Sequence, residues 1–571
     1  MKRFLLNTRT LLASILLACT AISMMAYSFE EGGIYYYQTR PGEVYVTYKD
    51  NNFNSYSGVV NIPSTFVHEG TTYTVTGIDD YAFLYSTGLT SVTIPNTVGL
   101  IGNTVFSGCS SLTGITIPSS VTTIGNYAFY NCSSLNRVII PNSVTSVGFS
   151  AFQGCESLTS VTLSNELETI QELTFDGCTS LASILIPASV KTIKYQAFNC
   201  SGLENITFSN GLTTIENYAF RSCENLKKIT LPNTVTTIGN YAFNRCEELT
   251  SVTLSSALEA VQEGVFRDCD NLASITIPNS VKSIGSCAFY DCDALQSAEI
   301  GDNVTDIGEY AFYRCLEMTT LTLGNHLETI HNNAFKGCSK LAALNIPNSV
   351  TTLGDDAFSF CHALQSVVIG NGVKTIGNYA FHECENMANL VFGNSVTSIG
   401  MNGFYGCRSL KKVKIPDTVE TIGACAFLQC QGMTHLTIGS NVTSIGYGAF
   451  SACWQLKSIT CQPNTPPTYV VDNSWSNFSN NVYEQATLYV PEASISKYRN
   501  AEVWKNFLNI KAIPDYLPGD VNLDGEINIA DVNALINAIL NGDHDDIFDV
   551  NGDHEVNIAD VNTLIDLIIT E

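Results

Sequence analysis

The chain has 571 residues, of which 45% are hydrophobic and only 14% are charged, so it is too apolar to be a disordered protein. Asp and Glu number 53 against 27 Lys and Arg, giving a formal charge of −26. Such a charge argues against partners that are nucleic acids or anionic lipid headgroups.

Residues 1–26 have the features of a signal peptide. Lys2 and Arg3 form a basic start, residues 11–21 are mostly apolar, and small residues follow. We therefore expect an exported protein, secreted or held at the cell surface. The apolar run is too short for a spanning helix, and no transmembrane segment is predicted in the mature chain. Lipid anchoring through Cys19 is the less favoured alternative, because residues 16–19 resemble a lipobox.

Residues 27–74 are rich in Tyr, Val and Thr, which predicts a β-rich N-terminal cap made of hairpin strands. A 23-residue repeat then occupies residues 75–461. Its template is L-x-x-[VI]-x-[IL]-[PGS]-x-x-[VL]-x-x-[IV]-x-x-x-[AV]-F-x-x-C-x-x, and residues 112–134 are a typical copy. A strict period of this length indicates stacked structural units rather than separate globular domains.

The first part of each copy alternates apolar and polar residues and stops at Pro, Gly or Ser, which predicts a short parallel strand. The rest of the copy predicts a second extended piece and a turn of helix that brings Phe and Cys inward. A single copy cannot bury its own apolar side chains. We therefore predict a solenoid whose neighbouring coils supply each other's core.

The L-x-x-I-x-I-P and A-F-x-x-C elements resemble those of the BspA-type leucine-rich repeat family, over residues 75–461. This resemblance implies an α/β-type repeat solenoid, a leucine-rich repeat array with parallel strands. It also implies an exported surface protein, whose ligand the repeat does not identify.

Cysteine recurs once per copy beside the apolar face. Export permits disulfides, yet a regular ladder is more simply explained by unpaired thiols that pack as small buried side chains. The ladder is predicted to contain Cys109, Cys132, Cys155, Cys178, Cys200, Cys223, Cys246, Cys269, Cys292, Cys315, Cys338, Cys361, Cys384, Cys407, Cys430 and Cys453.

Residues 462–513 follow the repeat and are expected to cap its C-terminal end. They include a strand-like segment at 486–490 and a helix-like segment at 495–507. A linker of five residues, 514–518, is bracketed by two prolines and should be fairly stiff.

Residues 519–571 contain 13 acidic residues and no Lys or Arg, so a bound cation is expected there. Two segments 29 residues apart carry oxygen-bearing side chains at the offsets of a twelve-residue calcium loop. His554 stands where the second loop should have glycine, which weakens that site. The predicted ligands of two Ca²⁺ ions are Asp520, Asn522, Asp524, Glu526, Asn528 and Asp531, then Asp549, Asn551, Asp553, Glu555, Asn557 and Asp560.

An amphipathic helix pattern follows each loop, and aspartate replaces glutamate at the twelfth position. These features resemble a type I dockerin module. The resemblance implies a small all-α calcium-binding domain whose partner is a cohesin-like protein. The alternative is a loop that holds calcium only in order to fold. Family positions that help to choose the partner are here Ile529 and Ala530, then Ile558 and Ala559, which leaves the partner open.

Between the inward residues of each first strand lies one outward residue, usually threonine, for which β-propensity is a sufficient explanation. The C-terminal third differs. There, apolar and basic residues form a candidate site for an acidic protein or glycan. Its predicted members are Val368, Val391, Lys411, Lys412, Lys414 and Lys457.

The sequence carries no G-x-S-x-G, H-E-x-x-H or P-loop motif, and the segments flanking the repeat are too small for a usual catalytic domain. We therefore expect a non-catalytic binding or adhesion protein. The alternatives are a carbohydrate-capturing accessory subunit of a polysaccharide-degrading complex and, less favoured, an enzyme of such a complex.

Overall fold

Three segments make up each coil of the repeat: a front strand, a side strand and a turn segment. The signal peptide predicted at 1–26, residues 515–518 of the linker, Asp524 and Glu526 lie outside the described residues. The computed structural model describes residues 27–51, 53–470, 477–514, 519–522, 527–543, 545, 547–553 and 555–570.

The front strands are the L-x-x-[VI]-x-[IL] segments. Most neighbours pair in parallel with residue i opposite residue i+23, as Arg137 is opposite Ser160. Their central apolar side chains point inward and their Thr and Ser side chains outward, which suits a sheet with one solvated face. They are Gly58–Asn61, Leu89–Thr93, Gly114–Ile115, Arg137–Ile139, Ser160–Thr162, Ser183–Ile186, Asn205–Phe208, Lys228–Thr230, Ser251–Thr253, Ser274–Thr276, Ser297–Glu299, Thr320–Thr322, Ala343–Asn345, Ser366–Val368, Asn389–Val391, Lys412–Lys414, His435–Ile438, Ser458–Cys461, Thr487–Val490 and Asn509–Ala512.

The side strands are two-residue segments that pair in the same parallel register, as Thr123 does with Ser146. Each except the last buries one β-branched or leucine side chain in the shared core, and the last contributes the partly buried Tyr469. They are Leu100–Ile101, Thr123–Ile124, Ser146–Val147, Thr169–Ile170, Thr192–Ile193, Thr214–Ile215, Thr237–Ile238, Ala260–Val261, Ser283–Ile284, Asp306–Ile307, Thr329–Ile330, Thr352–Leu353, Thr375–Ile376, Ser398–Ile399, Thr421–Ile422, Ser444–Ile445 and Thr468–Tyr469.

The turn segments close the coils, and here the predicted turn of helix is wrong. Alternate N–H groups bond either within the turn or to the next coil: Tyr130 N–H donates to Tyr127 O, whereas Phe129 N–H donates to Ala151 O. Tyr127 and Asn131 have φ near +55°, in the left-handed region, and equivalent residues repeat this conformation in other coils. Two left-handed residues in one short segment are incompatible with a continued right-handed helix.

The phenylalanine of each turn segment points inward and stacks on its counterparts in adjacent coils. From Phe83 to Phe450 the ring centroids are 4.9–5.6 Å apart, and Tyr56 and Phe478 extend the row at its two ends. These rings lie in one continuous hydrophobic core that extends from Ile34 to Phe507. The core of each coil is therefore completed by its neighbours.

The cysteine ladder lies beside these rings. Each ladder thiol donates to the carbonyl oxygen of the phenylalanine one coil earlier, at 3.0–3.5 Å. The predicted inclusion of Cys200 is wrong, because Cys200 is exposed and Ser201 takes the buried position. The short coil lacks a residue between Ser201 and Leu203, which keeps Ser201 in the ladder register.

A mixed sheet of mainly antiparallel strands precedes the first coil, and short helices follow the last. The N-terminal strands are Phe29–Glu31, Ile34–Arg40, Glu43–Thr47, Thr65–His68 and Thr71–Ile78, the last of which begins the row of side strands. Helix α1 is Asn480–Gln485 and helix α2 is Ile495–Asn500, with 3₁₀ turns at Glu492–Ser494 and Trp504–Asn506. The predicted helix at 495–507 is thus shorter than its sequence pattern. Its buried Trp504 donates to Pro467 O at 3.0 Å.

Helix α3, Ile529–Asn541, and helix α4, Ile558–Thr570, pack together in a second, separate core. Its buried members are Val521, Val532, Leu535, Val561 and Leu564. None of the helices in the described residues has the length and apolar character needed to span a membrane.

Candidate functional site

The first calcium-loop candidate leads into helix α3. Asn528 is the N-cap of this helix: its side-chain oxygen accepts from Ala530 N–H at 2.8 Å. In return, Asp531 Oδ2 accepts from Asn528 N–H at 2.8 Å, which completes a capping box. The helix therefore begins at a fixed residue, and the end of the loop is fixed with it.

Asp531 also holds the beginning of this loop. Its Oδ1 accepts from Val521 N–H at 2.7 Å and from Asn522 N–H at 3.0 Å, so one carboxylate joins both ends of the loop. The side chain has no exposed surface, and Asp520 is 4% exposed. Asp531 is thus a buried carboxyl group that accepts from three backbone N–H groups.

The second loop repeats this arrangement before helix α4. Asp560 is fully buried and accepts from Asn551 N–H at 3.0 Å and from Asn557 N–H at 2.8 Å. Asp549 Oδ1 accepts from the N–H groups of Gly552 and Asp553, at 2.8 and 3.1 Å. Side chains one and twelve of the loop are therefore fixed by the loop's own backbone.

The chemistry of these residues fits a hard cation. Asp520, Asp531 and Asp560 are buried carboxylates, and the sequence of this segment contains no Lys or Arg. Across the described residues, no three Asp, Glu, His or Cys side chains converge on one point. Each predicted ligand set also depends on asparagine oxygens, and the first set includes Asp524 and Glu526, which are not described.

The loops are followed by exposed apolar side chains at equivalent positions. Ile529 and Ile558 are 66% and 67% exposed, and Leu540 and Ile569, at the other ends of the same helices, are 78% and 75% exposed. Each pair is related by the 29-residue step between the loops. The module therefore carries two similar sets of exposed apolar residues that its own core does not use.

The second candidate lies on the outward face of the front strands, which we call the front face. Val368 and Val391 are in register on adjacent strands and are 40% and 55% exposed. They lie in an open groove of about 620 Å³, together with Phe392 and with asparagines of neighbouring coils. The structure thus brings the two predicted valines together.

Asparagine side chains form the polar edge of this groove. Asn348 Oδ1 accepts from Asn371 N–H at 2.8 Å, and Asn371 Oδ1 accepts from Asn394 N–H at 2.9 Å. No hydrogen bond within the described residues uses the Nδ2 group of Asn348 or Asn371. Each amide therefore supports the solenoid with its oxygen and keeps N–H donors for a ligand.

The predicted lysines lie on the coils that follow the groove. Lys412 and Lys414 are exposed on one front strand, with Lys411 immediately before it, and Lys457 lies just before the strand two coils further on. No ion pair within the described residues includes these four lysines. They are therefore uncompensated positive charges on an acidic molecule.

Two basic residues of this face were missed at the sequence level. His435 is opposite Lys412 in register, and burial lowers its pKa, with Lys412 and Lys457 lowering it further. Lys511 is joined in register to Lys414 through three intervening strands. His435 is 23 residues after Lys412 and could have been found by the period, whereas Lys511 lies beyond the repeat.

Comparison with family models identifies both parts of the chain. A model described as "BspA type Leucine rich repeat region (6 copies)" matches residues 76–202, 145–273, 192–315, 260–388 and 374–487. The chain therefore belongs to the BspA-type leucine-rich repeat family. Residues 518–569 match the dockerin type I domain, so the chain ends in a module of this kind. Dockerins of this type generally bind calcium and cohesins.

Solved structures of bacterial leucine-rich repeat proteins resemble the chain. One from Bacteroides ovatus is 24% identical, covers 78% of this chain and 100% of its own, and has a TM-score of 0.47. A leucine-rich cell surface protein from Faecalibacterium prausnitzii is 26% identical over 80% and 97%, with a TM-score of 0.29. The pneumococcal vaccine antigen PcpA is 20% identical over 70% and 94%, with a TM-score of 0.33. No curated protein sequence matches the chain.

Proposed function

We propose that the protein is an exported, non-catalytic binding protein. Its solenoid, residues 75–461 between caps at 27–74 and 462–513, holds an extracellular ligand. Its C-terminal module, residues 519–571, attaches the protein to a cohesin-like partner and requires calcium to do so. Residues 1–26 direct export, and the linker at 514–518 joins the capped solenoid to the C-terminal module.

The observation that carries this proposal is the pair of buried carboxylates, Asp531 and Asp560. Each fixes a loop and a helix start in a module whose sequence contains no Lys or Arg. We infer that two calcium ions, one per loop, balance these charges. In each loop the first, third, fifth and twelfth side chains, a backbone carbonyl at the seventh and a water at the ninth hold the ion. Calcium then sets the geometry of both helices and of their exposed isoleucines.

The exposed apolar side chains supply the partner surface of the module. Ile529 and Ile558 are the residues on which a cohesin-like protein would pack, because their side chains extend outward from the starts of the two helices. Apolar residues at these positions favour a partner with an apolar contact area. Attachment then depends on calcium indirectly, through the helix starts that the loops hold.

Capture of purified cohesin modules by the chain from residue 27 to 571 tests this attachment. We expect capture in calcium, loss of capture in EDTA, and loss in a variant that combines Asp531→Ala with Asp560→Ala. Asp543→Asn, which removes an exposed acidic charge outside both loops, is the matched control and should retain capture. Equal capture with and without calcium would contradict the proposal.

The solenoid has a separate test, because a carbohydrate-capturing accessory subunit would present the same module. Glycan arrays and arrays of host matrix proteins should be probed with the same chain. Binding to either class supports a ligand-binding solenoid and decides between accessory and adhesive roles. Turnover of a bound polysaccharide would instead favour the enzymatic alternative.

A further inference from the structure

The front face changes character along the solenoid. On the earlier coils its charges are mixed: Lys227 pairs with Glu204 at 2.8 Å, and Glu299 lies on a later strand. From Thr320–Thr322 to Asn509–Ala512, the front strands within the described residues contain no Asp or Glu. On a chain with a formal charge of −26, this end of the face is an acid-free surface.

This acid-free surface has two adjoining parts. The groove around Val368 and Val391 offers apolar contacts together with amide donors. The following strands carry Lys412, Lys414, His435 and Lys511, and Lys411 and Lys457 each lie just before a strand. The last front strand of the groove is Asn389–Val391, and the first of the lysine-bearing strands, Lys412–Lys414, is the next front strand along the solenoid.

We propose that this surface, which we call the basic track, binds a linear anionic polysaccharide that bears uronate or sulfate groups. The proposal rests on the proposed function, because it names the ligand class of the same front face. The lysines attract the anionic groups, the two valines contact the C–H faces of a sugar ring, and the asparagine amides donate to its oxygens. Outward side chains recur on every strand, at spacings of about 4.8 Å. An extended polymer can therefore make the same kind of contact on successive coils.

The residue types on the basic track favour a polysaccharide over a protein. The centres of protein interfaces are enriched in aromatic residues and arginine and depleted in lysine. The basic track has the opposite composition, since its positive charges are lysines and its other outward residues are mainly Thr, Ser, Asn and Val. Lysine is a strongly hydrated point charge, which suits a wet contact with a flexible polyanion.

Binding of the chain from residue 27 to 571 to defined probes tests the proposal. The probes are a short oligogalacturonate for uronate and a heparin oligosaccharide for sulfate. The controls are the methyl ester of the oligogalacturonate, dextran, polyglutamate and single-stranded DNA. We expect binding to one or both anionic glycans that weakens at least about tenfold between low and physiological salt, since screening acts over about 8 Å there. The methyl ester and dextran should bind far more weakly.

Two sets of variants locate the contact. Replacing Lys411 and Lys412 by Gln should weaken glycan binding at least about tenfold and flatten its salt dependence. The matched control replaces Lys227 and Lys228, at the same coil positions eight repeats earlier, and should leave binding unchanged. Val368→Thr with Val391→Thr introduces the residue of most other coils and should weaken binding without changing its salt dependence.

The outcomes separate this inference from the proposed function. Tighter binding to polyglutamate or DNA than to either glycan would overturn the polysaccharide assignment. The proposed function, a solenoid that binds a ligand, would still hold. Absence of binding to every anionic probe would overturn the basic track itself. Equal effects of the Lys411/Lys412 and Lys227/Lys228 substitutions would show that total charge acts rather than this surface.

Discussion

Phe243 lies between two rings of its own kind. Its centroid is 5.2 Å from that of Phe220 and 5.6 Å from that of Phe266, with both pairs nearly parallel. Phe243→Ala would remove both contacts and leave a cavity, so we expect a loss of about 3–5 kcal/mol in local unfolding free energy. Hydrogen exchange should show the coils around residue 243 opening first. Phe149→Ala, at a ring that is 37% exposed, is the control and should cost much less.

The cysteines differ sharply in access to solvent. Cys200 is exposed, Cys287 is half-buried, and the ladder thiols are buried beside phenylalanine. We expect iodoacetamide at pH 8 to label Cys200 first, Cys287 more slowly, and the ladder only after unfolding, because only an accessible thiolate reacts. Peptide mass mapping against time provides the measurement. Labelling of Cys246 as fast as Cys200 would contradict the ladder, and Cys200→Ser should remove the fastest-labelled peptide.

Buried thiols also predict a loss of stability in alkali. Burial raises the pKa of Cys453 to about 12 and that of Cys246 well above its usual value. An unfolded thiol ionises near pH 8.5, so above this pH the folded state holds more protons than the unfolded state. Stability must then fall as pH rises, by about 1.4 kcal/mol per pH unit for each such thiol. We expect a level melting temperature from pH 6 to 8 and a steep fall by pH 9.5. No change over that range would contradict this prediction.

At the scale of elements, the strands were predictable because their period is local. A phenylalanine every 23 residues and the alternation around each front strand are together sufficient to specify a parallel stack. The turn segment was less predictable, since its left-handed residues include Tyr127 and Asn131 and share no single residue type. Its conformation is imposed by hydrogen bonds to the next coil. The sequence of a single repeat gives no sign of these bonds.

The candidate sites also include some features that a short stretch of sequence predicts and others that only the folded chain shows. The two candidate calcium loops could be proposed from spacing, because ligand type and offset lie within twelve residues. The role of Asp531 in joining Val521 to Asn528 needed the folded loop. The basic track depends on residues many coils apart, and Lys511 joins it only because the last strand of the C-terminal cap continues the sheet.

The two loops should respond unequally to loss of their twelfth residue. Both twelfth residues accept from the N–H of their helix's N-cap asparagine, but Asp531 accepts from three backbone N–H groups in all and Asp560 from two, because only Asp531 also accepts from Val521. Asp531→Ala should therefore destabilise the module more than Asp560→Ala, by about 1 kcal/mol for the additional hydrogen bond from Val521. Calorimetric titration with calcium should show weaker binding after Asp531→Ala than after Asp560→Ala. The reverse order would mean that the second loop is the stronger site, and Asp543→Asn should titrate like the unchanged protein.

At the scale of the whole molecule, the two hydrophobic cores share no residue, so the solenoid and the module should unfold independently. The module carries 13 acidic residues and no Lys or Arg, and calcium offsets their repulsion only when bound. EDTA should therefore abolish or lower the melting transition of the module and leave that of the solenoid unchanged. Scanning calorimetry on the chain from residue 27 to 571 measures both transitions at once. A control with magnesium added to the EDTA sample should not restore the module, because Mg²⁺ demands a smaller and more nearly octahedral site than a twelve-residue calcium loop offers. A single transition that shifts as a whole with EDTA would show that the two cores are coupled, and an unchanged module transition would remove calcium from its fold.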